Sequence, residues 1–524
     1  MLPGGDHPDG GLQLQVKLES HLPVRLATGD VTAIFCFGYC FHQDTRVTEL
    51  ELSVDGKGHR PTATRMPRRD LFDWLHTAQL RELGDGATDP EGRSYRSGFW
   101  ATLPVQAGLS AGAIELGAEV HLADGRRYTS PLGRITVVEP PAPKLLGAES
   151  SRDGAAPSDT IAVCIATFDP DPGLLRTQLD SLREQTDTRW IAFISDGGSA
   201  PERFEQLLEL VGGDDRFVVS AAGTRLSPYR NFERALRMVP ADIPLVALCD
   251  QDDRWYSHKL EVLRATLGPA ILVYSDQRLI TEDGSVLRDS LWQGRRNDHR
   301  NLASLLVANT IPGAAMLFRR DLLSLALPFP DSPGVQYHDH WLALAAVCAG
   351  EVVYVDRPLY DYVQHPGAVQ GELSSGRSAS GAGGYRPRRR GGSRGWRAAY
   401  FCGYESREVQ AQTLLLRCGS QLSPRRRRAL RWFVASERSP VAFAWLALRP
   451  LRALAGHDET LGEELALVKG IVWRRLIELA VRSSERPGRR PYDASFPDPP
   501  VFEQARLRRW RAAGQAVNSL PTKA

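Results

Sequence analysis

Short apolar or alternating runs, separated by turn signals, dominate the first part of the chain. Asp55-Gly56 and Asp124-Gly125 follow two of these runs, and such dipeptides are typical of tight turns between strands. Only one helix candidate interrupts them, near Arg69–Leu83. Short strands at this spacing predict a β-sandwich of immunoglobulin-like size over residues 1–140. The predicted strands are Val31–Phe37, Val47–Val54, Phe99–Val105, Ile114–Leu122 and Arg134–Val138.

Beyond Thr160 the pattern changes to short apolar runs that alternate with helical segments. The runs are Ile161–Ala166, Trp190–Ser195, Phe217–Ser220, Leu245–Cys249 and Ile271–Tyr274, and the helices are Gly173–Glu184, Pro201–Leu210 and Tyr229–Met238. Strands interleaved with helices predict an α/β domain with a mostly parallel, right-handed wound sheet. In such sheets ligands bind beyond the carboxyl ends of the strands.

The last part of the chain, from about Trp396, is helical in pattern and basic. Leu461–Val481 has apolar residues at helical spacing; this indicates either a core face, which we favour, or a helix lying in a membrane interface. Segments rich in Pro, Gly, Ser and Arg separate the three regions. The predicted organisation is a β domain (1–140), a linker (141–159), an α/β domain (160–372), a second linker (373–395) and a helical region (396–524).

Composition narrows the class of protein. Hydrophobic residues make up 42% and charged residues 24% of the 524 positions, as in globular proteins. No apolar run approaches the ~18 residues that span a bilayer, and the first residues lack a secretory pattern, which favours a cytoplasmic enzyme. Seven scattered cysteines, an odd number, argue against a disulfide framework.

Charge is distributed unevenly along the chain. The formal net charge is +3, yet residues 373–524 contain 29 basic and 12 acidic side chains. A basic tail on an acidic body favours an anionic partner such as the inner face of a membrane. The alternative is a solvated, arginine-rich helical face. Nucleic acid is not expected as a partner.

Three of the predicted parallel strands deliver aspartates to one edge of the sheet. Asp169 follows the first, Asp196 ends the second, and Asp250, Asp252 and Asp253 follow the fourth. Clustered carboxylates repel one another unless a cation or hydrogen-bond donors compensate. Hard oxygen ligands suit Mg²⁺ or Mn²⁺. The alternative for the triple-acid segment is a solvated acidic turn.

The order of motifs resembles glycosyltransferase family 2, and within it the rhamnosyltransferase-like members of bacterial polysaccharide synthesis. The motifs are TFDP, SDGGS, YRNFERAL, ALCDQDDRW, VYSD, NTIPGAAMLFRRDLL, HDHWLALAA and PLYDYVQH. The resemblance covers about Thr160 to Gly371. It implies a GT-A fold, a nucleotide-diphosphate sugar donor, a divalent cation, inversion at the anomeric carbon and a glycan or lipid-linked acceptor.

The resemblance also assigns the donor side of the site. Thr167 and Asp169 lie where family members line the nucleotide pocket, and Asp196 corresponds to the aspartate that contacts the base. Arg230 and Asn231 match the segment under the nucleotide, although capping of the helix N-terminus is a second role for Asn231.

The DQDD segment matches the family's DxD motif. Asp252 is the expected main metal contact, and Asp250 is expected to address the ribose or sugar and to share the metal. Asp253 is a helper, and Trp255 is expected to pack rather than to contact substrate.

The acceptor side is assigned in the same way. Asp339 matches the catalytic acid/base position of the family, since an attacking hydroxyl must lose its proton there; the alternative is a helix N-cap. His338, His340 and Trp341 are expected to shape the acceptor pocket. Gly313 is expected to let the backbone approach the sugar closely.

Two features leave the donor open. Gln364-His365 resembles a family motif near the diphosphate, but Val363 replaces the usual arginine and Ala368 the common asparagine. Rhamnose is therefore favoured by analogy alone. The competing hypotheses are a sugar-nucleotide nucleotidyltransferase, disfavoured because no Gly-rich basic loop follows the first strand, and a non-catalytic carbohydrate-binding or scaffold protein.

Overall fold

The structure is a computed structural model that describes residues 14–20, 22–74, 92–139, 159–293, 297–334, 336–365, 393–456 and 460–483. Both predicted linkers and the end of the chain fall largely outside these ranges, so the predicted domain boundaries stay predictions. No helix within the described ranges is long and apolar enough to cross a membrane.

The first region is a two-layer β-sandwich. One sheet has the strand order β1-β3-β7-β6 and the other the order β2-β9-β8-β4-β5. Apolar side chains of both sheets, such as Ile34, Leu52, Phe99 and Ile135, meet in one buried cluster. The elements are β1 Leu14–Leu18, β2 Arg25–Ala27, β3 Val31–His42, β4 Val47–Val54, β5 Lys57–His59, β6 Ala63–Met66, α1 Arg69–Trp74, β7 Gly98–Gln106, β8 Gly112–Leu122 and β9 Arg127–Val138.

The predicted sandwich is confirmed, with additions. All five predicted strands are present, and four short edge elements (β1, β2, β5 and β6) were not predicted. These are three to five residues long, too short for a period-2 pattern to stand out. The helix predicted over Arg69–Leu83 covers Arg69–Trp74, and residues 75–83 lie outside the described ranges.

The second region is an α/β domain built on one large sheet. Its strand order is β12-β11-β10-β13-β17-β15-β18-β14, with β16 paired to β15. Its strands are β10 Ile161–Thr167, β11 Trp190–Asp196, β12 Phe217–Ala221, β13 Leu245–Cys249, β14 Arg254–Trp255, β15 Leu272–Thr281, β16 Val286–Arg288, β17 Met316–Arg319 and β18 Val352–Gln364. Its helices are α2 Pro172–Arg183, α3 Pro201–Val211, α4 Pro228–Arg237, α5 Lys259–Leu267, α6 Leu302–Val307, α7 Leu322–Ala326 and α8 His338–Ala349.

The sheet is mixed rather than wound in one direction throughout. β10 pairs in parallel with β11 and β13, and β11 with β12. β17, however, runs antiparallel to both β13 and β15. The fifth predicted strand, Ile271–Tyr274, is the start of the longer β15, which extends to Thr281. The half that carries the aspartates is therefore the parallel half.

The third region is helical, as predicted. It contains α9 Ser393–Ala398, a π-helical turn at Ala399–Glu405, α10 Ser406–Cys418, α11 Pro424–Ala435, α12 Pro440–Leu448, a 3₁₀ helix at Arg449–Ala455 and α13 Leu461–Ser483. Leu467, Ile471, Trp473 and Ile477 of α13 are buried in the main core. The core interpretation of its apolar stripe is thus correct.

The helical region packs against both other regions. The Trp100 indole of the sandwich donates to the Tyr400 hydroxyl at 3.0 Å. Arg417 of α10 donates to Val31 O of the sandwich at 2.6 Å and to Leu325 O of the α/β domain at 2.7 Å. The helices therefore hold the sandwich on the side of the α/β domain that carries α7 and α8.

Candidate active site

The parallel strands bring the predicted aspartates to one edge. Thr167 lies opposite Asp196 in the register of β10 and β11. Ile165 lies opposite Cys249 in the register of β10 and β13, so Asp250 begins just past the strand end. Gln251 ties the two loops together, because its side-chain oxygen accepts from Phe168 N at 2.9 Å. The edge predicted from the sequence is present.

Asp196 is buried at this edge, and its own loop satisfies both of its oxygens. Oδ1 accepts from Gly198 N at 3.1 Å and Ser199 N at 2.9 Å. Oδ2 accepts from the Thr167 hydroxyl at 3.1 Å and from the Ser199 hydroxyl at 2.5 Å. The carboxylate therefore fixes the SDGGS turn, and any contact with a nucleotide base adds to that structural role.

Asp169 is exposed in the loop after β10 and adopts a positive φ of 41°. Its backbone N–H donates to the Ser199 hydroxyl at 2.7 Å, and its carboxylate accepts from Ala200 N at 2.8 Å. A non-glycine residue in this conformation is uncommon and often marks a functional loop. Asp169 joins the first loop to the start of α3.

The first turn of α4 differs from the prediction in detail. The helix begins at Pro228, and the Ser227 hydroxyl caps it by accepting from Arg230 N, so Asn231 is not the N-cap. The buried Asn231 amide instead donates to Thr167 O at 2.9 Å and accepts from the Ser195 hydroxyl at 2.7 Å. Asn231 thereby joins the carboxyl ends of β10 and β11 by hydrogen bonds.

Arg230 is engaged by residues of its own helix and of the loop before α8. Its guanidinium donates to Phe329 O at 2.9 Å and pairs with Glu233 and Asp331. The side chain ties α4 to the loop before α8, and its predicted role under the nucleotide stays a prediction.

Arg234, one turn later, lies under the strand ends and was not predicted. Its guanidinium donates to the Ser195 hydroxyl at 2.7 Å, to Ser220 O at 2.8 Å and to Ala221 O at 2.9 Å. Burial lowers the pKa of Arg234, and the nearby negative charge of Asp196 opposes this shift. The YRNFERAL motif contains this residue, but helical phase alone does not tell which arginine turns inward.

The DQDD segment concentrates negative charge. Burial, together with the nearby Asp252 and Asp339, raises the pKa of Asp250 to about 7, while Lys259 opposes the rise. Asp253 is completely buried, and its pKa is raised well above the ordinary value by burial and by Asp250 and Asp252. The carboxylates of this segment and of Asp339 therefore act on one another within one site.

Lys259 is a compensating cation inside the protein, and it was not predicted from the sequence. Its side chain is fully buried, and its ammonium lies 3.6 Å from the centre of the Trp255 ring and 4.3 Å from that of Tyr360. It also donates to Ala314 O. Burial lowers the pKa of Lys259 to about 7, against the pull of Cys249, Asp253 and Asp250. Trp255 is a packing residue, as predicted.

Asp252 is paired with a residue 113 positions away. Its Oδ2 lies 2.8 Å from the Nε2 atom of His365, just after β18. Both side chains are partly exposed, so the pair faces the open side of the loop. The sequence pointed to His365 only through the family motif and did not reveal its partner.

This donor set fits a divalent cation. The Asp252 carboxylate and the His365 imidazole lie side by side. Carboxylates are ligands for Mg²⁺ and Mn²⁺, and imidazole nitrogens are ligands for divalent transition metals. Burial is the main cause of the raised pKa of Asp250 beside them, and the negative charges of Asp252 and Asp339 add to it against the opposing Lys259. Asp252 and His365 are the residues that would hold Mg²⁺ or Mn²⁺, with Asp250 next to them.

Asp339 opens α8 and faces the same site. Its Oδ1 accepts from His340 N at 2.7 Å. Burial raises the pKa of its carboxyl group to about 6, although hydrogen bonds from the His340 and Gly313 backbones and from the Asn309 side chain oppose the rise. Asp339 in turn raises the pKa of Asp250. A carboxylate with this pKa is well suited to accept a proton near neutral pH.

Gly313 lies directly against His338 and Asp339, and its predicted role in a close approach to sugar stays a prediction. A Cβ atom at Gly313 would lie 2.7 Å from His338 Nε2 and 3.4 Å from Asp339 Cβ. His338 also stacks on Phe232, with ring centroids 3.7 Å apart, and burial lowers its pKa to about 3. The neutral imidazole therefore forms a wall beside Asp339.

His340 and Trp341 were predicted on the acceptor side, and this prediction is wrong. The His340 Nε2 atom lies 2.7 Å from Leu305 O, and burial lowers the pKa of the ring to about 3. Trp341 is fully buried, and its indole donates to Ala326 O at 2.8 Å. On a helix, consecutive residues point in different directions, so only the start of HDHW reaches the site.

The site combines a proton acceptor at Asp339, a cluster of acidic residues in the DQDD segment, and a loop edge formed by Thr167 and Asp196. This arrangement can bind a cation with an anionic group at the DQDD segment and take a proton at Asp339. Both elements are needed for transfer of a group from a diphosphate leaving group to a hydroxyl.

Comparison with known proteins agrees with this chemistry. Residues 162–325 match the family model described as "Glycosyl transferase family 2". No curated protein matches the chain.

Solved structures of similar fold are distant. Residues 1–349 of S. aureus TarS, in complex with UDP-GlcNAc, are 15% identical at a TM-score of 0.38, covering 62% of this chain and 92% of that one. The mannosyltransferase PcManGT from Pyrobaculum calidifontis, in complex with GDP-Man and Mn²⁺, is 16% identical at a TM-score of 0.32, covering 61% and 86%. The matched segment holds the strand-end aspartates, and over residues 162–325 this chain is therefore similar to the glycosyltransferases of family 2.

Proposed function

We propose that this chain is an inverting, metal-assisted glycosyltransferase that moves a sugar from a nucleotide-diphosphate donor to a hydroxyl of a glycan or lipid-linked acceptor. The observation that supports the proposal is a link between the two acidic parts of the site: Lys259, which opposes the charge of Asp250, donates to Ala314 O, and the neighbouring Gly313 N–H donates to Asp339. Asp339 also acts electrostatically on Asp250, although the two residues lie on different parts of the chain. Inversion needs one base opposite one leaving group, and Asp339 and the DQDD segment supply these two positions.

In this proposal the donor lies along the edge formed by Thr167, Asp169, Asp196 and Asp250. The buried Asn231 and Arg234 hold the strand ends that form this edge. Asp339 accepts the proton of the acceptor hydroxyl as the oxygen attacks the anomeric carbon. Gly313 N–H and the Asn309 amide keep its carboxylate oriented for this step.

The proposed cofactor is Mg²⁺ or Mn²⁺, held by Asp252 and His365 with Asp250 beside them. A bound divalent cation supplies charge that offsets the developing negative charge on the diphosphate. The chain's own contribution is to keep Asp252 and His365 in contact across the loop.

The finer assignments rest on the resemblance found in the sequence. We propose rhamnose as the first sugar to test, bacterial cell-surface polysaccharide synthesis as the setting, and the cytoplasmic face of the membrane as the place. The match of residues 162–325 to the family model favours sugar transfer over a nucleotidyltransferase or a non-catalytic scaffold.

The experiment is a panel of nucleotide-diphosphate sugars screened for thermal stabilisation of the full-length protein with and without Mn²⁺. A bound ligand raises the apparent stability by mass action. We expect one donor class to raise the unfolding temperature only when Mn²⁺ is present, and the Asp252→Asn variant to lose this shift.

The matched control is Asp215→Asn, which changes an exposed aspartate beyond the end of α3 and should keep the shift. Stabilisation that is equal with and without the metal, or that survives in Asp252→Asn, contradicts the metal site. Stabilisation by none of the nucleotide sugars contradicts the proposed donor class.

A further inference from the structure

An exposed apolar stripe runs along α12 and the 3₁₀ helix that follows it. Val441 is 67% exposed, Leu448 60%, Leu451 57% and Leu454 88%. Val441 and Leu448 are two turns apart on α12, and Leu451 and Leu454 continue at the three-residue spacing that stacks side chains on a 3₁₀ helix. The four side chains therefore form one line on the surface.

The stripe is held firmly in this orientation by its opposite face. Ala442 and Leu446 of α12 are buried. Arg449 pairs with the buried Glu464 at 2.9 Å, and Arg452 pairs with Asp298 at 2.9 Å. These arginines fix the 3₁₀ helix to α13 and to the loop before α6. Because this side of the helix faces the protein, its leucines on the other side face outward.

Two tryptophans connect the stripe to α11. The rings of Trp432 and Trp445 meet edge to face, with centroids 6.0 Å apart, and both side chains are partly exposed. Trp445 shares its helix face with Val441 and Leu448, at i−4 and i+3. Trp432 shares its face with Arg428, at i−4. The apolar surface therefore passes directly into a basic one.

The basic part consists of exposed arginines on α11. Arg425, Arg428 and Arg431 recur every three residues and are all exposed. Among the described residues, none is in an ion pair with them. Pro424 to Ala455 contains eight arginines and one acidic residue, Glu437, which is buried. The surface is thus strongly positive without an acidic counterpart on its own segment.

We propose that this surface, which we call the Arg–Trp–Leu face, docks on an anionic lipid bilayer. Leucines that enter the acyl boundary, tryptophans at headgroup depth and arginines on lipid phosphates are the combination that binds such an interface. The charge selects anionic lipid over a neutral bilayer, and over a second copy of the same positive surface. The face comprises Arg425, Arg428, Arg431, Trp432, Val441, Trp445, Leu448, Leu451 and Leu454.

The face is connected to the acceptor side of the site. Arg452 donates to the Ser304 hydroxyl of α6 at 2.8 Å. The next residue of α6, Leu305, accepts from His340, the neighbour of Asp339 on α8, at 2.7 Å. Helix α6 thus links the 3₁₀ helix of the proposed lipid contact to α8, which carries Asp339. The proposal rests on the proposed function for its purpose, which is to bring a lipid-linked acceptor to this side.

The experiment measures flotation of the full-length protein with vesicles of phosphatidylcholine alone and of phosphatidylcholine mixed with phosphatidylglycerol. We expect binding to the mixed vesicles, weakened by salt, and little binding to the neutral ones. The triple variant Leu448→Ser, Leu451→Ser, Leu454→Ser and the double variant Arg428→Gln, Arg431→Gln should each reduce binding by about tenfold or more.

The control variants remove equally exposed residues from the β-sandwich. Val24→Ser with Leu109→Ser removes two side chains that are 75% and 92% exposed, and Arg25→Gln with Arg127→Gln removes two exposed arginines. Both should bind vesicles like the wild type. Circular dichroism checks that every variant is folded.

Several outcomes overturn the proposal: no binding to anionic vesicles, unchanged binding in the leucine and arginine variants, or equal loss in the controls. A concentration-dependent dimer that the leucine variant abolishes, without vesicle binding, assigns the face to a second copy instead. Stabilisation by a nucleotide sugar with Mn²⁺ is measured in parallel. Its retention in the leucine variant separates lipid docking from donor binding, and its absence in the wild type counts against the proposed function alone.

Discussion

At the scale of single residues, the carboxyl group of Asp339 combines burial with several donors. Burial favours the protonated form, whereas the N–H groups of Gly313 and His340 and the Asn309 amide favour the carboxylate. The balance leaves a pKa of about 6. Such a group is ionised at neutral pH yet remains basic enough to take a proton.

The pH dependence of transfer follows from this value. Asp339 must be deprotonated to act as a base, so activity is present above pH 6 and is lost as the pH falls through about 6. An unperturbed aspartate would hold activity down to about pH 4. The measurement is kcat/KM against pH at saturating Mn²⁺. A flat profile between pH 5 and pH 7 contradicts the assignment.

Gly313→Ala tests the position of Asp339 without removing it. The added Cβ would lie 2.7 Å from His338 Nε2, so His338 and the neighbouring Asp339 must shift. A misplacement of about 1 Å can lower the rate by about a hundredfold. We expect a large fall in kcat with donor binding intact.

Gly213→Ala is the matched control, because no atom lies within 4 Å of its added Cβ. Equal kcat values for the two alanine variants would show that Gly313 does not position the base.

At the scale of elements, the loop after β13 is stabilised from within the protein by the first residue of α5. Lys259 is fully buried between two aromatic rings and faces the DQDD carboxylates. Removing one partner of a buried charge cluster leaves the others without compensation. The stability of the DQDD loop therefore depends on the positive charge of Lys259 at the start of α5.

Lys259→Met should destabilise the protein by about 3 kcal/mol or more, because buried aspartates are left without their cation. The measurement is the midpoint of urea unfolding in the full-length protein. Lys57→Met, at an exposed position of β5, should leave the midpoint unchanged. A similar small effect for both variants argues against the role of Lys259.

The sequence predicted the elements on which the site stands better than the contacts within it. Apolar runs located β10, β11 and β13 to within a residue or so, because buried parallel strands are nearly continuous in hydrophobicity. The same runs placed Asp196 and Asp250 at one edge. They could not show that β17 runs antiparallel to β13 and β15, because the sequence of a short apolar strand does not reveal its direction.

Side-chain direction was the other limit. His340 and Trp341 belong to the motif of Asp339, yet both face the core, because the helix turns about 100° per residue. The pairing of Asp252 with His365 depends on how β18 passes the DQDD loop. Arg230 and Arg234 occupy one helix, and only packing decides which of them lies under the strand ends.

At the scale of the whole molecule, α10 is the common support of the three regions. Arg417 donates to Val31 O of the sandwich and to Leu325 O and Pro328 O of the α/β domain. Its guanidinium also lies 5.6 Å from the centre of the Trp341 ring on α8. Burial lowers the pKa of Arg417 to about 10, and it remains charged at neutral pH.

Arg417→Met should uncouple the sandwich from the remaining structure. Three carbonyl groups lose a charged donor, at a cost of about 3 kcal/mol or more. In scanning calorimetry we expect one thermal transition for the wild type, and for Arg417→Met a transition that is lower and broader or split in two. Arg25→Met at an exposed site is the control, and an unchanged single transition in Arg417→Met contradicts this view of α10.

The most direct measurement is sugar transfer by Asp339→Asn, with the donor identified from the nucleotide-sugar panel and Mn²⁺ present. The substitution keeps the shape of the side chain but removes its basicity. The account predicts that kcat falls by about a hundred- to ten-thousandfold while the donor still stabilises the protein against heat. Transfer at the wild-type rate would mean that Asp339 is not the base and would contradict the proposed mechanism.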